Sequence, residues 1–406
     1  MSGPIVLRGG RVIDGTGAPP IPDGIVVIEG SRIRAVGAAG DFGESRFDGA
    51  ELIDVGGRTV MPGLINCHQH LDARHGYGPY QVRAAQPLPY LVTRAVRNAL
   101  LDLQEGVTTV RDMSSKAGSS LQVRQAIHDG LLIGARVVAC GQAIAMTGGH
   151  GHARAIEADG EDAVRHAARR LLKAGADFIK CMASGGFISL GVDQPWSPQL
   201  STEEMRAGFD EAHAASKLTT VHAHPPSAIR RAVAAGVDCI EHGALIDPPT
   251  AELLATRGIP LVPTLAESWV IAQRGEEFGR PRWLVELNRG KLDERMQRYG
   301  YAVAAGVKMA VGTDVIGTMA EEMQLMAEGG LTSMDVLTAA TRNGAEVCGL
   351  LGETGTLEGG KWADVIVVDG NPLEDLRALE RVHLVFKGGK RYHPDQLAAA
   401  TGRNPL

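Results

Sequence analysis

One pattern recurs through the middle of the chain and constrains its fold more than any other. An amphipathic helix ends at glycine, a short apolar strand follows, and the strand exits into polar residues. It appears in "LLDLQEGVTTVRDM", "ARRLLKAGADFIKCMASGG", "IRRAVAAGVDCIEHG", "ELLATRGIPLVPTLAES" and "GYAVAAGVKMAVGTD". Glycine just past a helix supplies the left-handed cap. Alternation of 3.6-period helices with buried strands predicts a parallel sheet. Adding "TVMPGLINCHQH", "GARVVACGQAIAMTGGHGH" and "KLTTVHAHP" gives eight strands between Thr59 and Asp314. Eight such units predict an α/β fold, a TIM (β/α)8 barrel whose active site lies at the carboxyl ends of the strands. An open doubly wound sheet is the alternative. Ser201-Thr202-Glu203-Glu204 has the capping-box pattern of a helix start.

The two ends of the chain read differently. "PIVLRGGRVIDG", "GIVVIEGSRIRAVG" and "AELIDVGGRTVMPG" at the start, and "KWADVIVVDGNP" and "RVHLVFKGGKRY" near the end, are β-rich runs punctuated by Gly, Pro and Asp. They predict a small composite β-sandwich domain from residues 1–60 and 350–406, with the barrel over 61–349. A length of 406 residues suits that arrangement. The net charge of −6, with no Lys/Arg cluster, argues against a nucleic-acid or anionic-membrane surface. No apolar run reaches the ~18 residues of a membrane span, and no signal peptide is evident. The five cysteines are scattered and odd in number, as in a reducing compartment. A cytoplasmic location is expected.

The strand exits carry the chemistry. In an extended strand, residues i and i+2 share a face, so His68 and His70 of "NCHQH" project together. Strand four carries Lys180, strand five His222 and His224, strand six His242, and strand eight Asp314. Singly, each has a plain reading: a hydrogen-bonded histidine, or an aspartate in a turn. Lys180 is harder to dismiss, because desolvating an ammonium is costly unless it is paired or chemically altered. At one rim, four His, one Lys and one Asp would form a site for a divalent metal such as zinc. Two ions about 3.5–4 Å apart need an anionic bridge. An ammonium would repel both, whereas a carbamate on Lys180 would give an oxygen to each.

"PGLINCHQH", "FIKCMASGG", "HAH", "IEHG" and "GTD", in that order, resemble the amidohydrolase superfamily with a binuclear metal centre, and the likeness covers nearly the whole chain. The resemblance implies that His68, His70 and Asp314 bind one ion, His222 and His242 the other, and carboxylated Lys180 bridges them. "AMTGGHGH", "SGGFISLGVDQPWSPQLS" and "AAGVDCIEHGALID" are similar to the prolidase-like branch of zinc dipeptidases, arginine carboxypeptidases and ochratoxin-type amidases. That likeness implies that His150 lies near the substrate carboxylate or the scissile carbonyl. Three departures stand out: His152 where Asp is expected, His224 where Tyr is frequent, and Asn66 where Asp is usual.

The expected reaction is hydrolysis of an amide in a dipeptide or N-acyl amino acid by a metal-bridging hydroxide. Metal binding lowers the pKa of water from about 15.7 to about 7. Asp314 is expected to accept the proton and pass it to the leaving nitrogen, with His150 stabilising the oxyanion or holding a carboxylate. His224 and His152 are candidate substrate contacts, with plain support and a solvated loop as their alternatives. Two long loops, "LDARHGYGPYQVRAAQPLPY" and "TLAESWVIAQRGEEFGRPRWLVELNRG", face the same rim. Trp269, Phe278 and Trp283 in the second suggest an aromatic lid over an apolar or aryl acyl substrate, or else a packed helical insertion or subunit contact. The rival reactions are opening of a cyclic amide such as a lactam or imidazolone, and hydrolysis of a urea or carbamate. A one-metal deaminase fits less well, since that branch pairs its metal with a Glu near the strand-five histidine whereas this chain reads "VHAHPPSAI" and keeps Lys180, and a non-catalytic scaffold fits less well because all six ligands are present. A small-molecule substrate is the expected partner, and self-association is expected only from the resemblance.

Overall fold

The computed structural model describes residues 3–42, 47, 49–188 and 193–401. One eight-stranded sheet draws on both ends of the chain. Ile5–Val12 pairs antiparallel with Ile21–Glu29, which continues to Arg32–Ala38. Glu51–Asp54 and Thr59–Pro62 run parallel to Ile5–Val12. From the far end, Val365–Val368 pairs antiparallel with Thr59–Pro62 and leads through Val382–Lys387 to Lys390–Tyr392. Alternate side chains leave the sheet on opposite faces. Leu7, Val26, Ile28, Val365, Val367 and Phe386 share one apolar cluster, while Val6, Ile25 and Val27 belong to another.

The middle of the chain is mixed α/β with parallel pairing. Leu64–Gln69, Val107–Asp112 and Arg136–Ala139 form a three-stranded sheet. A six-stranded sheet contains Ile144–Ala145, Ile156–Glu157, Phe178–Met182, Leu218–Ala223, Cys239–His242 and Leu261–Val262. Backbone hydrogen bonds link these sheets, directly at one seam and through residues 308–314 at the other. Asp177 N donates to Ala139 O at 2.9 Å, Leu261 N to Lys308 O at 2.9 Å, and Cys67 N to Val311 O at 2.8 Å. Helices cover the strands with one apolar stripe each; Val164, Ala167, Ala168 and Leu171 are the buried residues of Glu161–Lys173. The capping box at Ser201 is formed, its Oγ accepting from Glu204 N at 3.1 Å.

Two strands read as continuous in the sequence are divided. "TVMPGLINCHQH" splits at Gly63, with Thr59–Pro62 in the end-built sheet and Leu64–Gln69 in the parallel one. The chain turns between sheets at a point where a Cβ would lie 2.2 Å from Thr108 Oγ1. "GARVVACGQAIA" splits at Gly141, whose φ of 75° ends the extended run. The eighth segment joins its neighbours through isolated bridges, Leu261 to Met309 and Gln69 to Asp314.

Asp364 ties the end-built sheet to the parallel strands. Fully buried, it accepts from Arg136, from Thr354 Oγ1 at 3.2 Å and from Gly388 N at 2.7 Å. Asp364→Ala strands those donors and is expected to lower stability by about 2–3 kcal/mol, read as a lower midpoint of urea unfolding; an unchanged midpoint would show that the tie carries no stability.

Candidate metal centre

The parallel register sets the rim. Met182 pairs with His222, and Ala223 pairs with His242, so strand exits arrive at one level. One ligand atom from each of His68, His242 and Asp314 lies within 4.8 Å of the others, a group able to hold a metal ion. His68 Nε2 is 3.7 Å from Asp314 Oδ2, and His70 Nε2 is 3.6 Å from Asp314 Oδ1. His222 joins the group through His242, with ring centroids 4.4 Å apart. Lys180 is buried and lines the same cavity as His70, His222, His242 and Asp314. The cavity is open to solvent and measures about 1200 Å³.

The surrounding hydrogen bonds decide which ring nitrogens face inward. His68 Nδ1 is 2.8 Å from Glu241 Oε2, and His70 Nδ1 is 2.8 Å from Ser114 O. Carboxylates and carbonyls only accept, so both Nδ1 atoms donate and a neutral ring keeps its lone pair on Nε2. His68 Nε2 is buried and has no hydrogen-bond partner among the described residues. An orphaned buried lone pair costs free energy; a cation satisfies it, and a carboxylate behind a ligating histidine is a recurrent support for metal. His242 Nδ1 lies 2.8 Å from Thr264 Oγ1. The donor set therefore fits a divalent ion.

Electrostatics agree with that fit. Burial, above all, pushes His68, His70, His222 and His242 below the usual imidazole range, and neutral imidazole is the ligating form. Burial first, and Glu267 second, push the Asp314 carboxyl up to about 7. Burial lowers Lys180. The backbone is also distorted here: His242, Thr264 and Asp314 have φ of 72°, 52° and 58°. Left-handed conformation in residues with a Cβ costs roughly 1–2 kcal/mol each and clusters at functional sites.

Other candidates lie around this group. His150 stacks on His222, with centroids 4.0 Å apart and an interplanar angle of 18°. Its Nδ1 is 3.1 Å from Asp193 Oδ1. Gly186 lets the ring sit there, since a Cβ would lie 2.1 Å from His150 Cε1. His224 lines the cavity, and its buried Nδ1 has no partner among the described residues. His152 is exposed and bonds back to Gly149 O at 3.0 Å, apart from the cavity lining. Trp269 packs with Val270, Leu284 and Ile316 beside Phe278 and Trp283; Glu267, Ser268 and Ile271 of its helix, Leu265–Arg274, line the cavity instead. Asn66 sits behind the ligands, donating from Nδ2 to Thr313 Oγ1 at 2.9 Å.

Sequence reading passed over three residues. Glu241 is fully buried and accepts from Arg111 and Thr220 as well as His68. The signal was present as a charge in each of two apolar strands, "VTTVRD" and "CIEH". Arg295, buried on Leu292–Ala304, donates to Asn288 Oδ1 at 2.9 Å and lies 4.2 Å from the Phe187 ring centroid, while its Nε has no partner among the described residues. Its helix sits far along the chain from the strand exits and carried no marker.

Known proteins give this geometry its context. Residues 59–392 match the model of the amidohydrolase family. Ochratoxinase of Aspergillus niger is 31% identical over 421 aligned residues, covering 95% of this chain and 86% of the relative. A prolidase structure complexed with N-methylphosphonate-L-proline is 35% identical, with a TM-score of 0.87 over 96% of this chain and 99% of that one. An Xaa-Pro dipeptidase with methionine bound in its active site is 29% identical, with a TM-score of 0.85 over 96% of this chain and 100% of that one. The match spans every strand exit that contributes to the cluster: the chain belongs to the amidohydrolase family.

Proposed function

We propose that the chain hydrolyses the amide bond of a dipeptide or N-acyl amino acid at a centre of two divalent ions, zinc being the expected metal. The observation that carries this reading is the meeting of His68, His242 and Asp314 in one cavity with His70, His222 and Lys180. In this reading His68, His70 and Asp314 would hold one ion and His222 and His242 the other, with a carbamate on Lys180 as the anionic ligand they would share. The scaffold is a closed (β/α)8 barrel over 61–349, with a composite β-sandwich domain from 1–60 and 350–406. The bonds Asp177 N to Ala139 O and Cys67 N to Val311 O support closure at the two seams.

When bound, the ions supply an acidified water and an electrophile for the amide carbonyl. The chain's own groups do the rest. Asp314, held with Thr313 by N–H bonds to His68 O, takes the proton and delivers it to the leaving nitrogen. His150, oriented by Asp193 through Nδ1, lies on the cavity wall where the scissile carbonyl or a substrate carboxylate is to sit. Arg295 and His224, whose Nε and Nδ1 have no partner among the described residues, take the carboxylate of the amino-acid portion. That preference for a free carboxylate favours a linear N-acyl amino acid over a lactam or urea.

Metal analysis of the purified protein is expected to find about two divalent ions per chain, and Lys180→Ala is expected to retain about one or none; two ions held without Lys180 would exclude the bridge. Glu241→Gln is expected to weaken metal binding about 10–100-fold in chelator competition, and an unaltered affinity would deny Glu241 its supporting role. A hydrolysis screen of N-acyl amino acids, dipeptides, lactams and aryl carbamates is expected to find turnover in the first two classes. Turnover confined to lactams or carbamates would overturn the proposal.

A further inference from the structure

A second chamber of about 670 Å³ opens beside the metal cavity, bounded by Tyr80, Arg83, Ile188, Arg280, Trp283 and Leu284. Tyr80 and Arg83 line both spaces. Three donors here are buried without a hydrogen-bond partner among the described residues: Tyr80 Oη, Arg83 Nε and Arg280 Nη2. Arg280 is 5% exposed. Buried polar groups are nearly always paired, and unpaired cationic ones are the costliest exceptions. Burial, and then the neighbouring Arg280, depress the Arg83 guanidinium to about 9. Glu267 acts on both arginines but pairs with neither among the described residues, and the unpaired donors between them make a receptor for an oxyanion.

The chamber is built by two loops locked together. Arg280 Nη1 donates to Gly76 O at 2.7 Å and Gly78 O at 2.8 Å, and Gly78 N donates to Phe278 O at 2.8 Å. A Cβ on Gly279, whose φ is 65°, would lie 2.8 Å from Tyr77 Cζ. Tyr80 and Arg83 stand three residues apart on the helix Tyr80–Ala84, hence on one face. Arg83 is within electrostatic reach of Asp314, whereas Arg295 acts on His224.

We infer that the Tyr80–Arg83–Arg280 chamber binds a carboxylate on the acyl portion of the substrate, making the substrate an N-acyl amino acid with a second carboxylate remote from the cleaved bond. This rests on the amide-hydrolase reading, in which Arg295 takes the other carboxylate. The apolar wall of Ile188, Trp283 and Leu284 accommodates the methylenes between the carbonyl and the acid.

The test compares N-succinyl-L-phenylalanine with its succinyl methyl ester. The unaltered enzyme is expected to favour the free acid by about 10–100-fold in kcat/KM, mostly through KM, since a hydrogen bond to a charged group has that weight. Arg83→Met is expected to bring the acid-over-ester ratio to about one, Arg83→Lys to restore part of it, and Tyr80→Phe to lower it several-fold. Equal turnover of acid and ester by the unaltered enzyme, or equal loss on both in Arg83→Met, would overturn the inference. If neither amide is cleaved, the amide reading fails on its own. The chamber is then tested by titrating inorganic phosphate into the holoenzyme by calorimetry: affinity at least ten-fold weaker in Arg83→Met supports it, and equal affinity refutes it.

Discussion

The His68 carbonyl accepts from both Thr313 N, at 3.0 Å, and Asp314 N, at 2.8 Å, and the rest of the site depends on that seam. It is made between residues about 245 positions apart in the chain, so it forms only when the parallel pairing between them is in register. A slip of one residue would turn His68 and His70 to the opposite face and carry Asp314 out of reach. Asp314 pays no ladder continuity for its position; the strand ends there, with φ of 58°, and the side chain turns toward the histidines. Secondary structure and ligand geometry are here the same set of hydrogen bonds.

A layer of polar residues behind the histidine cluster holds this arrangement. Arg111 neutralises Glu241, and Glu241 in turn orients His68. Arg111 also donates to Cys67 O at 2.8 Å and Val347 O at 3.0 Å, so its charge is fixed by backbone on two sides. Burial raises the carboxyl of Glu241, but Arg111 and His68 outweigh it and hold the group near 2, well below its ordinary range. An ionised carboxylate is the form that fixes the imidazole tautomer. The layer costs desolvation on every member and returns orientation.

Much of this was legible in the sequence because period-two parity and strand order are local properties. The pairing of His68 with His70, the helix–glycine–strand pattern and the capping box at Ser201 all follow from near neighbours. The breaks at Gly63 and Gly141 were not legible, since what divides each run is a neighbour from another strand or a single backbone rotation. Trp269, Phe278 and Trp283 read as a lid or a packed insertion because aromatic residues are rare in this chain; all three pack beside one apolar cluster and Trp283 also bounds the second chamber, a division that composition does not reveal. Glu241 left a signal, a charge in an apolar strand, but Arg295 and the chamber arginines were missed for the complementary reason. Charges on unremarkable helices and loops gain meaning only when tertiary packing removes their water and their partners.

Arg280 bears on how such a site diversifies. By clasping the carbonyls of Gly76 and Gly78, it makes the segments after the first and seventh strands one mechanical unit. Recombination that imports one of them alone would deprive the guanidinium of its acceptors and press Tyr77 against a foreign side chain at position 279. New selectivity in this lineage should therefore arise either by point changes within the existing walls or by inheritance of both segments together.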